Sequence, residues 1–153
     1  MEINTLERLA ALLAEEELTP ERKDGDLIVR IKCGTLAARI EIDENQGILR
    51  LFAFLLFAPE ARRCAMAETV CRINWGLRVG RFEMDTDDGE VRFYNWLPVL
   101  GATITVEQLR FFIFASWSVL EEYTSALAEV AIADAEPAVA IAKAEMERQN
   151  RAR

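Results

Sequence analysis

Apolar and polar positions along the chain switch between helical and strand periodicity. Leu6, Leu9, Leu12 and Leu13 recur at helical spacing behind Asn4-Thr5-Leu6-Glu7, a capping-box-like start, and predict a helix to about Glu17. Thr19-Pro20 stops that helix, and Asp24-Gly25 reads as a turn. Three strands are expected next: residues 27–33, where Leu27, Val29 and Ile31 alternate with Ile28, Arg30 and Lys32, 36–42, and 48–57. The third is apolar on both faces, which places it in the centre of a sheet or beneath covering elements on both sides.

Pro59-Glu60 opens a second helix, with Met66, Val70, Ile73 and Leu77 in one stripe. Ala61, Cys64, Ala67 (or Glu68), Cys71 and Asn74 form a neighbouring stripe, and Gly76 is a plausible C-cap. A β-hairpin is expected over Gly80 to Trp96. With Asp88-Gly89 as a two-residue turn, Asp85 faces Arg92, Met84 faces Phe93 and Arg81 lies over Trp96. Phe82, Met84, Val91 and Phe93 then share the core face. Thr105-Val-Glu-Gln108 is a capping box that starts a long helix to about Ile132. The order is α-β(3)-α-β(2)-α, an α+β fold on an antiparallel sheet. Residues 1–132 are expected as one domain, and 133–153 as an alanine-rich helical tail.

Composition narrows function mainly by exclusion. The chain has 153 residues, a net charge of −8 and no histidine, which removes the usual neutral-pH base, the usual triads and most zinc sites. Its acidity opposes nucleic-acid binding, since a phosphate backbone would be repelled. No apolar run is long enough to span a bilayer and the start lacks a secretory pattern, so a cytoplasmic location is expected. Cys33, Cys64 and Cys71 are expected as buried free thiols. The acidic turn around Asp85 imitates a calcium loop. Counted from Asp85, however, glycine falls fifth and Trp96 twelfth, where an EF-hand needs glycine sixth and glutamate twelfth. No metal, cofactor or catalytic constellation is expected.

The run from Asn74-Trp-Gly-Leu-Arg-Val-Gly-Arg-Phe-Glu-Met, through Asp-Gly-Glu-Val-Arg-Phe and Leu97-Pro98, to Thr105-Val-Glu-Gln-Leu resembles the YbjN family of bacterial sensory transduction regulators. The resemblance implies a type III secretion chaperone-like fold, commonly dimeric and without enzymatic activity. It also implies a structural role for Asn74 at the end of the middle helix.

The long last helix is the candidate surface for a partner. Leu109, Ile113, Ser116, Leu120, Tyr123 (or Thr124), Leu127 and Val130 make a core stripe, while Phe111, Phe112, Phe114 and Trp117 spread aromatic surface around the rest. Two readings of that second face stand. It joins a subunit interface in a homodimer, or the tail at 134–147 folds back and covers it. The function expected is a non-catalytic module that binds itself and a client polypeptide. The alternative is a small-ligand sensor or enzyme using Glu83 and Asp85 near Trp96.

Overall fold

A computed structural model describes residues 6–15, 19–23, 26–30, 37–43, 47–99 and 104–151. The elements are α1 (Leu6–Glu15), β1 (Pro20–Lys23), β2 (Asp26–Arg30), β3 (Ala37–Asp43), β4 (Ile48–Phe57), a 3₁₀ turn (Glu60–Arg62), α2 (Arg63–Gly76), β5 (Arg81–Met84), β6 (Glu90–Pro98), α3 (Val106–Ile132) and α4 (Pro137–Arg151). The sheet order is β1-β2-β3-β4-β6-β5, so β4 does lie inside the sheet. The α+β class with an antiparallel sheet packed against helices is as expected. The start of the predicted first capping box, the Asp24-Gly25 turn and Cys33 lie outside the described residues.

One strand was not foreseen. Pro20–Lys23 pairs antiparallel with β2, Pro20 opposite Val29 and Lys23 opposite Asp26, so four strands rather than three precede α2. Proline is tolerated there because it is the first residue of an edge strand, where a missing N–H breaks no ladder. The next registers place Leu27 opposite Ile40, and Ile40 opposite Leu51.

The chain forms two compact units, Met1–Phe54 with Tyr94–Ser116, and Leu55–Phe93 with Trp117–Arg153. In the first, Leu12 and Leu13 are buried, as are Ala38 and Ile40 of β3, Leu49, Leu51 and Ala53 of β4, and Ile104, Leu109 and Ile113. Strand alternation sorts these from Arg39, Arg50 and Phe54 on the opposite face. Ser116, fully buried, donates to the Phe112 carbonyl at 2.6 Å and accepts from the Asn95 amide at 2.9 Å, so α3 is tied to β6 without an orphaned hydroxyl. The capping box is reciprocal, with the Gln108 N–H on Thr105 Oγ1 at 3.2 Å and the Thr105 N–H on Gln108 Oε1 at 3.0 Å.

In the second unit, Met66, Val70 and Ile73 of α2 are buried with Phe82, Phe93, Leu120, Leu127 and Val130. Phe82 and Phe93 meet edge to face at 5.3 Å, and Tyr123 lies 6.2 Å from Phe82. The tail helix folds back. Ala140 and Ala144 of α4 are buried, and α4 packs against α2. Its charged residues reach α3, Arg148 to Glu122 at 2.7 Å and Lys143 to Glu129 at 2.5 Å, while the Tyr123 hydroxyl donates to Glu145 at 3.2 Å.

The hairpin register differs from the expected one by two residues. The Asp85 N–H donates to the Glu90 carbonyl at 2.9 Å, and the Gly89 N–H returns to the Asp85 carbonyl at 2.9 Å, which makes Thr86–Gly89 a four-residue loop. Arg92 therefore pairs with Glu83 at 2.9 Å instead of Asp85, and Arg81 also bonds Glu83, at 2.7 Å. A shift of two keeps side-chain parity, so Phe82, Val91 and Phe93 remain on the buried face. The longer loop wins because it satisfies more backbone groups. The Asp87 N–H bonds Asp85 Oδ1 and the Glu90 N–H bonds Asp88 Oδ1, each at 2.8 Å. Arg63 donates to the Asp87 carbonyl at 2.9 Å and the Asp88 carbonyl at 3.1 Å.

Candidate functional site

Among the described residues, aromatic side chains reach solvent on three surfaces and at Phe57, the last residue of β4. On α3, heptad drift brings Phe111 and Phe114 to the side opposite the Leu109–Ile113–Ser116 stripe. They are 67% and 51% exposed. Trp117 is half-buried. Phe112, placed with them by sequence, is buried and presents no surface, since it falls on the flank that turns into the core.

The second surface is the outer face of the sheet in the first unit. Phe54 on β4 and Trp96 on β6 are about half exposed, and the Arg39 guanidinium sits 5.3 Å from the centre of the Phe52 ring. Arg50 bonds Glu41 at 3.1 Å on the same face. The signal for this surface was the two-sided apolarity of β4, whose second face is left partly open rather than covered.

The third is α2. Cys64 and Cys71, expected to be buried, are exposed, and Trp75 is 93% exposed. The buried stripe of α2 is Met66, Thr69, Val70 and Ile73, and the thiols lie on the opposite side of the helix. Hydrophobicity of a thiol did not decide its side; the helical phase set by Met66 and Ile73 did.

The acidic residues do not form an acid–base pair. Burial raises the Glu83 pKa, but the hydrogen bonds and charges of Arg81 and Arg92 outweigh it and hold the carboxyl below its ordinary range. Asp85 is engaged with the Asp87 N–H. A polar cleft of about 240 Å³ is lined by Gly76, Glu122, Tyr123, Glu145, Arg148 and Gln149. Burial and the adjacent Glu122 and Glu145 raise the Tyr123 pKa, so its phenol keeps its proton, and Arg148 neutralises the buried Glu122 carboxylate. Among the described residues no cluster of three metal-ligating side chains occurs, and no helix is long and apolar enough to cross a membrane.

Asn74 closes the described site elements. Its amide donates to the Phe82 carbonyl at 2.8 Å and accepts from the Phe82 N–H at 2.9 Å, a structural role at the end of α2. The family model for YbjN, "Putative bacterial sensory transduction regulator", matches residues 5–129. The chain belongs to the YbjN family. The crystal structure of YbjN from E. coli superposes with a TM-score of 0.63 at 16% identity, over 78% of this chain and 89% of that one. A chain of the HopA1–SchA chaperone–effector complex matches with a TM-score of 0.52 at 15% identity, covering 72% of this chain and 84% of that one. A chain of the ExoT–SpcS complex from Pseudomonas aeruginosa gives 0.53 at 19% identity, covering 78% and 98%. No curated protein sequence matches the chain. These likenesses show a fold that this chain shares with the E. coli YbjN structure and with chains of the HopA1–SchA and ExoT–SpcS complexes.

Proposed function

We propose that this protein is a non-catalytic protein-binding module, a regulator or chaperone-like protein that acts as a homodimer and holds a polypeptide partner. The observation that supports this most directly is the exposure of Phe111 and Phe114 on α3, opposite the buried stripe of Leu109, Ile113 and Ser116. Aromatic side chains left in water on a well-ordered helix lower the free energy of association when a partner covers them. The fold shared with a chain of the HopA1–SchA chaperone–effector complex supports a polypeptide as that partner.

The alternative, a sensor or enzyme built on Glu83 and Asp85, has less support. A carboxylate clamped by two guanidinium groups is a poor proton shuttle, because its pKa moves away from neutrality.

The test is co-purification from native cells, with the captured polypeptide identified by mass spectrometry and its affinity remeasured with purified partners. The wild type is expected to bind at least tenfold more tightly than the Phe111→Glu/Phe114→Glu variant. Equal affinity would remove the α3 surface from the proposal.

A further inference from the structure

We infer that the cleft between the end of α2, the middle of α3 and the last turns of α4 binds a primary ammonium group, carried by a small free amine or by a lysine side chain. This site is separate from Phe111 and Phe114, and its occupation does not depend on the dimer or on a polypeptide at α3.

The cleft forms where the contact made by α4 ends. Pro137, Ala140 and Ala144 are the buried residues of α4, and small side chains let that helix lie close to its neighbours. The next position on the same face is Arg148, four residues on, and there the seam opens into the space of about 240 Å³. On the α2 side the wall is Gly76. A Cβ at this position would meet no atom within 4 Å, and its φ is not positive, so neither crowding nor backbone geometry calls for glycine. The missing side chain leaves the cleft open. All of its lining residues belong to the second unit. The volume falls below the roughly 300–1,000 Å³ of pockets that take drug-sized ligands, so the occupant is small.

The lining is mostly hydrogen-bond acceptors. Glu122, only 5% exposed, forms part of the floor. Beside it the Tyr123 hydroxyl donates its one proton to Glu145 at 3.2 Å, which leaves the lone pairs of its oxygen for an incoming donor. Gly76 is the last residue of α2, so its wall is the carbonyl end of a helix, which carries partial negative charge, and the last turn there holds no basic residue. Gln149 adds an amide oxygen. Against these acceptors the lining sets one cation. Arg148 bonds Glu122 at 2.7 Å, yet its side chain is 62% exposed, so only its tip reaches the floor. Two carboxylates share one guanidinium, and an anion entering the cleft would face both glutamates. An ammonium brings three donors and no acceptor, which suits this lining. It pairs with Glu145 and competes with Arg148 for Glu122, so the arginine is a built-in occupant that the ligand displaces.

Titration calorimetry at constant ionic strength tests the site, with propylammonium chloride as the free amine and acetyl-lysinamide as the lysine side chain. Saturable binding at one site per chain is expected for at least one of the two, and the tighter of them identifies the source. Tetramethylammonium, which has the charge without the N–H donors, should bind at least tenfold more weakly. Gly76→Leu fills the space and should abolish binding while leaving the melting curve near the wild type. Glu145→Gln should weaken binding at least fivefold, and Arg148→Gln, by releasing Glu122, should tighten it at least threefold. No saturable binding, tetramethylammonium equal to the primary amines, or full affinity in Gly76→Leu would each overturn the site. Affinity in Arg148→Gln at or below that of the wild type would overturn the competition with the arginine.

Discussion

The Asn74 side chain bonds the backbone of Phe82 twice, as donor to its carbonyl and as acceptor from its N–H. β5 is the last strand of the sheet, and Phe82 directs these two groups away from β6. A side-chain amide at the end of α2 thus occupies the place where a further strand would pair. Exposed edges recruit other chains, and one residue closes this one.

Asn74→Ala should therefore destabilise the fold by about 1–3 kcal/mol, because both Phe82 groups lose their partner in a half-buried setting. Chemical denaturation measures this. Asn74→Asp retains the acceptor alone and should fall between the two. An alanine variant as stable as the wild type would show that water replaces the amide without cost.

Gly89 has φ 86°, and a Cβ there would lie 2.3 Å from the Ala58 carbonyl oxygen, which is backbone and cannot swing aside. The Gly89 carbonyl also accepts from the Ala58 N–H at 2.7 Å. Gly89→Ala should cost about 1–3 kcal/mol from the backbone conformation alone, with the clash adding to it. A thermal melt unchanged within a degree would contradict this account of the loop.

Arg62 binds the corner between α3 and α4, donating to the Val130 carbonyl at 2.9 Å and the Ala135 carbonyl at 2.8 Å while pairing with Asp134. Asp134 has φ 56°, an uncommon conformation for a residue with a Cβ. Arg62→Ala should raise amide hydrogen exchange in α4 at least tenfold, with α1 unaffected. Equal protection in both proteins would mean that Ala140 and Ala144 hold α4 without the arginine.

The Glu83 carboxyl has a depressed pKa in the folded protein. Its contribution is complete above the ordinary glutamate range and is lost as pH falls through the lower folded-state value. Glu83→Gln should lower stability at pH 7, and the difference from the wild type should shrink toward pH 3. A constant difference across that range would assign the loss to packing.

Calcium at millimolar concentration should leave the melting temperature unchanged, since the Asp85 and Asp88 carboxylates are already accepting backbone N–H groups of the turn. A rise of several degrees would show a competing cation site.

The order of helices and strands was legible because periodicity is local. The α3 core stripe, the Thr105–Gln108 box and the inward face of Phe82, Val91 and Phe93 all follow from spacing along one segment. Turn composition also placed the hairpin, but not its register. Two alternatives that differ by two residues bury the same side chains, and the longer loop is held both by the Asp85 and Asp88 carboxylates and by Arg63 and the Ala58 backbone reaching in from elsewhere. β1 was missed because Pro20 reads as a breaker until an edge position is known for it.

Exposure lay further from reach. The sequence makes Phe111, Phe112 and Phe114 equally apolar, yet the phase of α3 against the core buries Phe112 and leaves the other two in water. In the same way Cys64 and Cys71 are small apolar residues whose side of α2 was settled by Met66 and Ile73. Sequence by itself determined most of the helices and strands, β1 excepted, since periodicity depends on neighbours in the chain. Tertiary structure alone decided which apolar side chains are left over for a partner, because burial depends on what packs across from a residue rather than on the residue itself.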